Sequence, residues 1–184
     1  MKYRKIAESC LTALENTLEA RGEDVPFFVE ELLKKGKKTI GLTGQDLFKE
    51  YCLKNKNTQL GIFKIIDWND SSALYRKPTL CLLGEKGKQI EDIGRNLKVC
   101  INSKYKLIAK KYLNFLEAKG FVFMKLYSSG NTEAGYSLGI SDLVIDIVYT
   151  GKSVLENGLS VYDRIFSSDF VIIGDKRLQK NSQV

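Results

Sequence analysis

The chain of 184 residues contains no histidine and only two prolines. The lack of histidine excludes mechanisms that need an imidazole base, a serine–histidine triad or a histidine metal ligand. No apolar run approaches the ~20 residues that a membrane helix needs. Glu8 and Glu15 interrupt the segment where a signal peptide would have its apolar core. We therefore expect a cytoplasmic protein that does not enter membranes.

Cysteine pairs are also missing, since the four cysteines lie far apart and form no Cys-x-x-Cys motif. Without histidine to complete a tetrahedral zinc site, this spacing predicts reduced thiols among apolar neighbours and no metal held by the protein. The four positions are Cys10, Cys52, Cys81 and Cys100.

The formal net charge of +7 suits an anionic partner, either a phosphorylated metabolite or nucleic acid. The lysines are scattered in groups such as residues 34–38 and 104–111, without a helix-turn-helix or an aromatic RNA-binding pattern. We interpret them as solvated surface residues and expect no nucleic-acid partner. An RNA-binding protein, which would rest on charge alone, is the last of the alternatives.

Helical and strand patterns alternate along the chain, which predicts an α/β protein with mostly parallel sheets. Asp24 is expected to cap one helix, and the side chains of Phe28 and Phe115 are expected to face a core. Helices are predicted over residues 6–18, 24–36, 45–53, 105–120 and 131–138. Strands are predicted over residues 38–42, 61–68, 78–84, 96–103, 121–127, 141–148, 160–166 and 170–173.

The turn YTGKS, residues 149–153, follows the strand predicted over 141–148, where ligands of α/β proteins bind. A Walker P-loop needs glycine at position 146, but this chain has Asp146, whose carboxylate would repel a triphosphate. The backbone N–H groups and hydroxyls from Thr150 to Ser153 suit a single phosphate instead. Asp146 could then accept hydrogen bonds from ribose hydroxyls. A capped helix after a buried strand, without any ligand, is the alternative.

The segment EAGYSLGISDLVIDIVYTGKSV, Glu133 to Val154, resembles the signature of the ATP phosphoribosyltransferase family. Ser153 replaces a threonine of the family pattern but keeps the hydroxyl, and Val154 replaces leucine or methionine. Similarity to the family extends through residues 23–48, 99–121 and 156–159. The signature positions that match are Glu133, Gly139, Ser141, Val144, Asp146, Ile147, Thr150 and Gly151.

The resemblance implies a two-lobed α/β fold of the type II periplasmic-binding-protein-like class, with a cleft between the lobes. We expect residues 1–76 and 160–184 to form lobe I and residues 77–159 to form lobe II. Relative to the family, the start of the chain lacks the strand before the first helix and the strand pair after it. We expect no regulatory domain after the last strand. The chain therefore resembles the catalytic subunit of the short form, with a shortened N-terminal lobe.

The resemblance also implies a reaction between ATP and 5-phosphoribosyl 1-diphosphate, the first step of histidine biosynthesis, with Mg²⁺ accompanying the sugar diphosphate. The adenine nitrogen that attacks already has its lone pair, so the reaction is compatible with a chain without histidine. Further implications are a homo-oligomer and a regulatory subunit similar to histidyl-tRNA synthetase. A non-catalytic paralogue, or a cytoplasmic sensor that binds a phosphorylated ligand in the same cleft, is the alternative.

The same resemblance assigns the candidate site residues. Asp146 and Glu133 are the catalytic candidates, although Glu133 could be only a carboxylate in the first turn of a helix. The candidates for contact with the phosphoribosyl group are Asp146, Thr150, Gly151, Lys152 and Ser153. The candidates for contact with the nucleotide are Thr43, Gly44, Lys2 and Arg4, and a plain strand-to-helix turn would also explain Thr43 and Gly44.

Overall fold

Helices and strands alternate through residues 17–179, which are the residues that the computed structural model describes. The helices are α1 Val25–Lys34, α2 Gln45–Lys54, α3 Lys106–Glu117, α4 Thr132–Ser137, α5 Lys152–Glu156 and α6 Lys176–Gln179. The strands are β1 Gly41–Gly44, β2 Leu60–Ile66, β3 Thr79–Glu85, β4 Asn96–Asn102, β5 Val122–Ser128, β6 Leu143–Val148, β7 Leu159–Ser167 and β8 Phe170–Asp175. Short 3₁₀ turns occupy Ile90–Ile93 and Ser103–Tyr105. The helix predicted over residues 6–18 lies almost entirely outside the described residues.

A three-stranded antiparallel sheet, in the order β1-β8-β2, forms the smaller of two lobes together with α1, α2 and α6. We call it the three-strand lobe. Its core is apolar and is centred on β8, whose Val171 and Ile173 are fully buried. Asp24 stands at the N-cap of α1 but its side chain makes no capping hydrogen bond there, and Phe28 is 40% exposed. The predicted cap and the predicted core position of Phe28 are therefore wrong.

A five-stranded mixed sheet, in the order β5-β4-β6-β3-β7, forms the other lobe. We call it the five-strand lobe. Strand β4 runs parallel to both β5 and β6, whereas β3 runs antiparallel to β6 and β7. The two-lobed α/β architecture is confirmed. The expectation of mostly parallel sheets is wrong, because four of the six strand pairings in the described part of the chain are antiparallel.

The pattern of connections explains why so few pairs are parallel. Parallel neighbours need a crossover, usually a helix, between the two strands. Here α3 connects β4 to β5, and α4 connects β5 to β6. The other pairings bring together strands from distant parts of the chain, and these strands meet in opposite directions.

Strand β7 lies at the edge of the five-strand lobe, where it pairs with β3. The sequence-based boundary at residues 159 and 160 places this segment in lobe I. The division of the chain into lobes stays a prediction, but β7 itself belongs to the five-stranded sheet by its hydrogen bonds. The chain thus leaves this sheet between β7 and β8, at residues 168–169.

Alternation along the strands gives the five-stranded sheet two different faces. One face packs Val99, Ile101 and Ile145 against Ile108 and Leu113 of α3, in a continuous apolar cluster. The opposite face packs smaller clusters against α4 and α5. On α3, Phe115 is 56% exposed, so its predicted place in a core is also wrong.

Two chain segments, residues 67–78 and 167–170, join the lobes side by side. Lys77 forms ion pairs with Asp169 at 2.7 Å and with Asp67 at 2.9 Å. The Trp68 ring stacks on Phe170, with ring centroids 4.1 Å apart and 9° between the planes.

Within residues 17–179, no helix has both the length and the apolar character needed to cross a bilayer.

Candidate functional site

Three parallel strands end at one edge of the five-stranded sheet, and polar residues lie where they end. Asn102 is the last residue of β4, Ser128 is the last residue of β5, and Asp146 lies two residues before the end of β6. Helices α4 and α5 begin close to this edge. This is the edge at which open α/β sheets bind ligands.

Asp146 is half-buried, and both of its carboxylate oxygens have partners. Oδ1 accepts hydrogen bonds from Asn102 Nδ2 at 2.9 Å and from the backbone N–H of Ile147 at 2.7 Å. Oδ2 accepts a short bond from the Thr132 hydroxyl. A carboxylate offers about four acceptor positions. In the described part of the chain, Oδ2 therefore keeps capacity for one more donor, such as a sugar hydroxyl.

The environment of Asp146 shifts its proton affinity. Burial raises the pKa of the Asp146 carboxyl above its ordinary value, and the charge of nearby Glu133 raises it further. The hydrogen bonds from Thr132, Ile147 and Asn102 act in the opposite direction but do not cancel the effect of burial. The carboxylate is thus a fixed acceptor in a partly desolvated position.

Glu133 lies in the first turn of α4 and reaches the start of α5. Its Oε1 atom accepts a hydrogen bond from Ser153 Oγ at 3.0 Å. Two residues of the predicted site that are far apart in sequence are thus in direct contact. The carboxylates of Glu133 and Asp146 also flank the same residue, Thr132, whose hydroxyl donates to Asp146 and lies 3.5 Å from Glu133 Oε2.

The loop between β6 and α5 contains the remaining phosphoribosyl candidates. Gly151 has φ of +76°, a conformation that glycine adopts without strain, and a Cβ placed there would lie 3.1 Å from Leu74. Thr150 Oγ1 accepts a weak 3.4 Å bond from the Lys152 N–H. The Lys152 side chain is 80% exposed, and its ammonium lies 3.7 Å from Glu156. Thr150 and Ser153 are thus exposed hydroxyl residues of the loop, on either side of the buried Gly151.

The Thr43-Gly44 turn lies in the three-strand lobe, and the structure explains it without a ligand. Thr43 is buried, and its hydroxyl donates to the backbone oxygen of Gly22 at 2.6 Å. Gly44 is the N-cap residue of α2, and a Cβ there would come within 2.4 Å of Asp46 Oδ1. Lys2 and Arg4 lie outside the described residues.

Charges from both lobes act on Tyr105. It is buried, and its pKa is raised by burial and then by the charge of Asp46 and a hydrogen bond with it. The charge of Asp146 raises the same pKa. Asp46 follows the Thr43-Gly44 turn in the three-strand lobe, whereas Asp146 belongs to the five-strand lobe. Carboxylates of both candidate regions thus raise the pKa of the same tyrosine.

Sequence reasoning missed several residues of this site, namely Asn102, Thr132, Asp46 and Tyr105. Asn102 carried a usable signal, because it ends a predicted strand that neighbours β6, and such strand ends share one edge. Thr132 also carried one, since it directly precedes a candidate residue. Asp46 and Tyr105 gave no comparable signal, because their contact depends on how the two lobes meet.

The chain is similar to a known protein family and to several of its members. A family model described as ATP phosphoribosyltransferase matches residues 21–184. A protein called ATP phosphoribosyltransferase from Sulfurovum sp. is 32% identical over 160 residues, which cover 86% of this chain and 67% of that protein. One of the same name from Caldicellulosiruptor bescii is 27% identical over 82% of this chain. The chain spans 65% of the length of the Caldicellulosiruptor bescii protein and 65% of a Dictyoglomus thermophilum relative.

Two solved structures share the fold. The ATP phosphoribosyl transferase (HisG:HisZ) complex from Thermotoga maritima superposes with a TM-score of 0.68 at 21% identity, covering 98% of this chain and 88% of that one. The periplasmic aliphatic sulphonate binding protein SsuA from Escherichia coli has a TM-score of 0.61 at 14% identity, covering 98% and 62% of the two chains. At these identities the likeness shows the fold alone. It agrees with the two lobes described above.

Proposed function

Because the chain belongs to the ATP phosphoribosyltransferase family, we propose that it joins ATP to 5-phosphoribosyl 1-diphosphate, giving phosphoribosyl-ATP and diphosphate. This is the first step of histidine biosynthesis, and we place it in the cytoplasm. The observation that carries the proposal is the contact among Asp146, Thr132, Glu133 and Ser153 at one strand edge. Three of these residues hold positions of the family signature.

In this proposal Asp146 orients the ribose. Oδ2 accepts a ribose hydroxyl in its remaining acceptor position, and Oδ1 stays bonded to Asn102 and to the Ile147 N–H. A hydrogen bond to a charged acceptor contributes about 1.5–3 kcal/mol. The fixed partners of Oδ1 mean that little reorganisation is needed when the sugar binds.

The 5-phosphate is proposed to lie at residues 150–153, against the hydroxyls of Thr150 and Ser153 and the backbone N–H groups of the loop. Without ligand, the Ser153 hydroxyl donates to Glu133. A phosphate that accepts this hydrogen would release one acceptor of Glu133, which can then bond a sugar hydroxyl. Lys152, whose ammonium is exposed, adds positive charge near the phosphate.

The chemical step forms a bond between N1 of adenine and C1 of the ribose and breaks the bond from C1 to the diphosphate oxygen. The adenine nitrogen contributes its own lone pair, so no side chain has to remove a proton before the attack. The side chains of this site therefore act by positioning and charge. We propose Thr43 and Gly44, with Lys2 and Arg4, as the nucleotide side of the cleft.

Mg²⁺ is proposed to enter as the complex of the sugar diphosphate. Among residues 17–179, no group of three histidine, cysteine or acidic side chains is arranged to hold a metal ion. Mg²⁺ commonly binds substrate phosphates with only one or two carboxylates from the protein. When bound, the ion neutralises charge on the departing diphosphate.

The proposed partners are a second copy of this chain and a regulatory subunit similar to histidyl-tRNA synthetase. The solved Thermotoga maritima structure is a HisG:HisZ complex, which supports a two-component assembly. We propose the same kind of assembly for this chain.

The test is formation of phosphoribosyl-ATP, followed by absorbance, with and without a synthetase-like partner protein. We expect turnover in at least one of the two conditions. Binding of 5-phosphoribosyl 1-diphosphate without turnover in either condition would contradict the enzyme and favour a non-catalytic sensor.

A further inference from the structure

Three carboxylates of the three-strand lobe hold one short segment of the five-strand lobe. We call this segment, residues 102–108, the connecting segment; it includes the end of β4, the 3₁₀ turn and the first residues of α3. Glu23 forms an ion pair with Lys104 at 3.0 Å, and burial and then the charge of Asp46 raise the pKa of Tyr105. Glu50 accepts hydrogen bonds from two backbone N–H groups of α3. These contacts to one end of one helix add to those of the junction segments, residues 67–78 and 167–170, in holding the lobes together.

The contact of Glu50 is a helix cap supplied by the other lobe. Its Oε1 atom accepts the Leu107 N–H at 2.6 Å, and its Oε2 atom accepts the Ile108 N–H at 2.9 Å. The first N–H groups of any helix lack partners within the helix. Tyr105, the N-cap residue of α3, makes no side-chain capping bond. Glu50 therefore satisfies donors that α3 does not satisfy itself.

Both oxygens of Glu50 bond the same helix end, which makes this contact more specific than an exposed ion pair. Glu50 lies within α2 and is half-buried. Burial raises the pKa of Glu50, and the two backbone N–H groups lower it. By contrast, the Lys104–Glu23 pair is more exposed, and such pairs contribute little.

The connecting segment leads directly to the candidate site. At its first residue, the Asn102 side-chain oxygen accepts the Lys104 N–H at 3.1 Å, and the Asn102 amide donates to Asp146 Oδ1 at 2.9 Å. One end of the segment therefore orients the proposed ribose acceptor. The other end is fixed to the three-strand lobe by Glu50.

We propose that Glu50 is a positioning residue that caps α3 from the opposite lobe and, through the connecting segment, keeps the cleft closed around a ligand at Asp146. Insofar as the ligand is a phosphoribosyl group, the inference rests on the proposed function. Opening of the lobes separates Glu50 from α3 and moves the segment that holds Asn102. Ligand affinity falls in proportion to the fraction of molecules that are closed.

The first measurement is hydrogen exchange of single backbone amides by NMR, which needs no substrate. In Glu50→Ala we expect exchange at Leu107 and Ile108 to become at least about fivefold faster, which corresponds to the loss of about 1 kcal/mol for a helix cap of this kind. Exchange at Leu113, in the middle of α3, is expected to stay unchanged. Glu50→Gln keeps one acceptor oxygen and should give an intermediate result.

The second measurement is titration calorimetry with Mg²⁺ and 5-phosphoribosyl 1-diphosphate, together with kcat. We expect Glu50→Ala to raise Kd about tenfold, equivalent to about 1.4 kcal/mol. We expect kcat at saturation to stay unchanged, because bound ligand closes the lobes. Glu117→Ala is the matched control: it removes a carboxylate of α3 that bonds Lys125 within the five-strand lobe, and should leave Kd unchanged.

Several outcomes would overturn the inference. Unchanged exchange at Leu107 and Ile108 would contradict the cap, and faster exchange with unchanged Kd would contradict the positioning role. A lower kcat without a change in Kd would indicate a purely structural contribution. If the wild-type chain does not bind the sugar diphosphate, the proposed function fails. Small-angle scattering then tests separately whether Glu50 holds the two lobes together. A larger radius of gyration for Glu50→Ala supports the inference, and identical curves contradict it.

Discussion

The two faces of the five-stranded sheet differ in what their residues do, although neighbouring residues of the same strands supply both. Ile101 and Ile145 point toward α3 and are fully buried in the apolar cluster. Asn102 and Asp146, the next residues, point to the opposite face and bond each other. A step of one residue along a strand therefore separates a core position from a position of the proposed ligand site.

This separation means that the α3 face and the α4/α5 face respond differently to substitution. On the α3 face, loss of side-chain volume removes packing that nothing replaces. On the other face, the polar contacts lie near solvent and are arranged around Asp146 and Glu133. Paired substitutions at adjacent positions can test whether the faces are truly independent.

The largest effect is expected for Ile145→Ala. Ile145 is fully buried, and truncation of a buried isoleucine to alanine costs about 2–5 kcal/mol of unfolding free energy. Denaturant unfolding measures the loss, and the folded fraction should bind the sugar diphosphate within about twofold of the wild-type Kd. Val122→Ala, on the edge strand where Val122 is 59% exposed, is the control and should change stability little. A large fall in affinity for Ile145→Ala would break the separation of the faces.

Asp146→Asn should weaken binding and leave the fold intact, which is the reverse of the result expected for Ile145→Ala. The substitution removes the charged acceptor, so we expect Kd for the sugar diphosphate to rise about 10- to 100-fold. The fold should persist, because an asparagine oxygen can still accept from Asn102 and Ile147, and the Thr132 hydroxyl can turn to accept from the new amide. Calorimetry and thermal unfolding measure the two quantities. An unchanged Kd would remove Asp146 from the site.

The difference in Kd between the wild type and Asp146→Asn should depend on pH. The pKa of Asp146 is raised by burial, so this carboxylate takes up a proton at a higher pH than an exposed aspartate. The ratio of the variant Kd to the wild-type Kd should fall toward one as pH decreases through that raised pKa. Protonation of the substrate phosphate cancels in the ratio. A ratio that is constant down to the pH where an exposed aspartate titrates would contradict the role of the charge.

The smallest effect is expected for Ser153→Ala. The Ser153 hydroxyl exchanges one charged acceptor, the Glu133 carboxylate, for another, the phosphate, so its net contribution is small and Kd should rise by roughly two- to tenfold. Ser137→Ala is matched to it, because Ser137 also has an exposed hydroxyl but bonds Asn157 and the backbone oxygen of Glu133 rather than the Glu133 carboxylate. Equal effects of the two substitutions would argue against a phosphate at residues 150–153.

Local patterns predicted much of this molecule, and long-range pairings account for what they missed. The strands β3 to β6 and the helix α3 follow from apolar spacing, and the signature from Glu133 to Ser153 points to the region around Asp146. Strand direction could not be predicted in the same way. Strands β3 and β7 are neighbours in the sheet, although nearly all of the five-strand lobe lies between them in the sequence. The amphipathic pattern also could not show that Phe28 and Phe115 are exposed.

The cap that Glu50 provides is the clearest example of a long-range contact that local sequence patterns do not predict. Its partners Leu107 and Ile108 are 57 and 58 positions away, so no local motif contains the contact. In a sequence, a capping side chain is expected at the residue just before the helix. Here that residue is Tyr105, which makes no side-chain capping bond. Only the packing of one lobe on the other brings the carboxylate to the helix end.

Trp68, the chain's single tryptophan, gives the protein an intrinsic optical probe. Its ring stacks on Phe170 where the chain passes between the lobes, and its indole N–H donates to the Tyr149 hydroxyl at 3.3 Å. Tyr149 immediately precedes the loop at residues 150–153. We therefore expect emission from this one fluorophore to respond to changes at the junction between the lobes and to ligand binding at the proposed phosphate loop, without labelling.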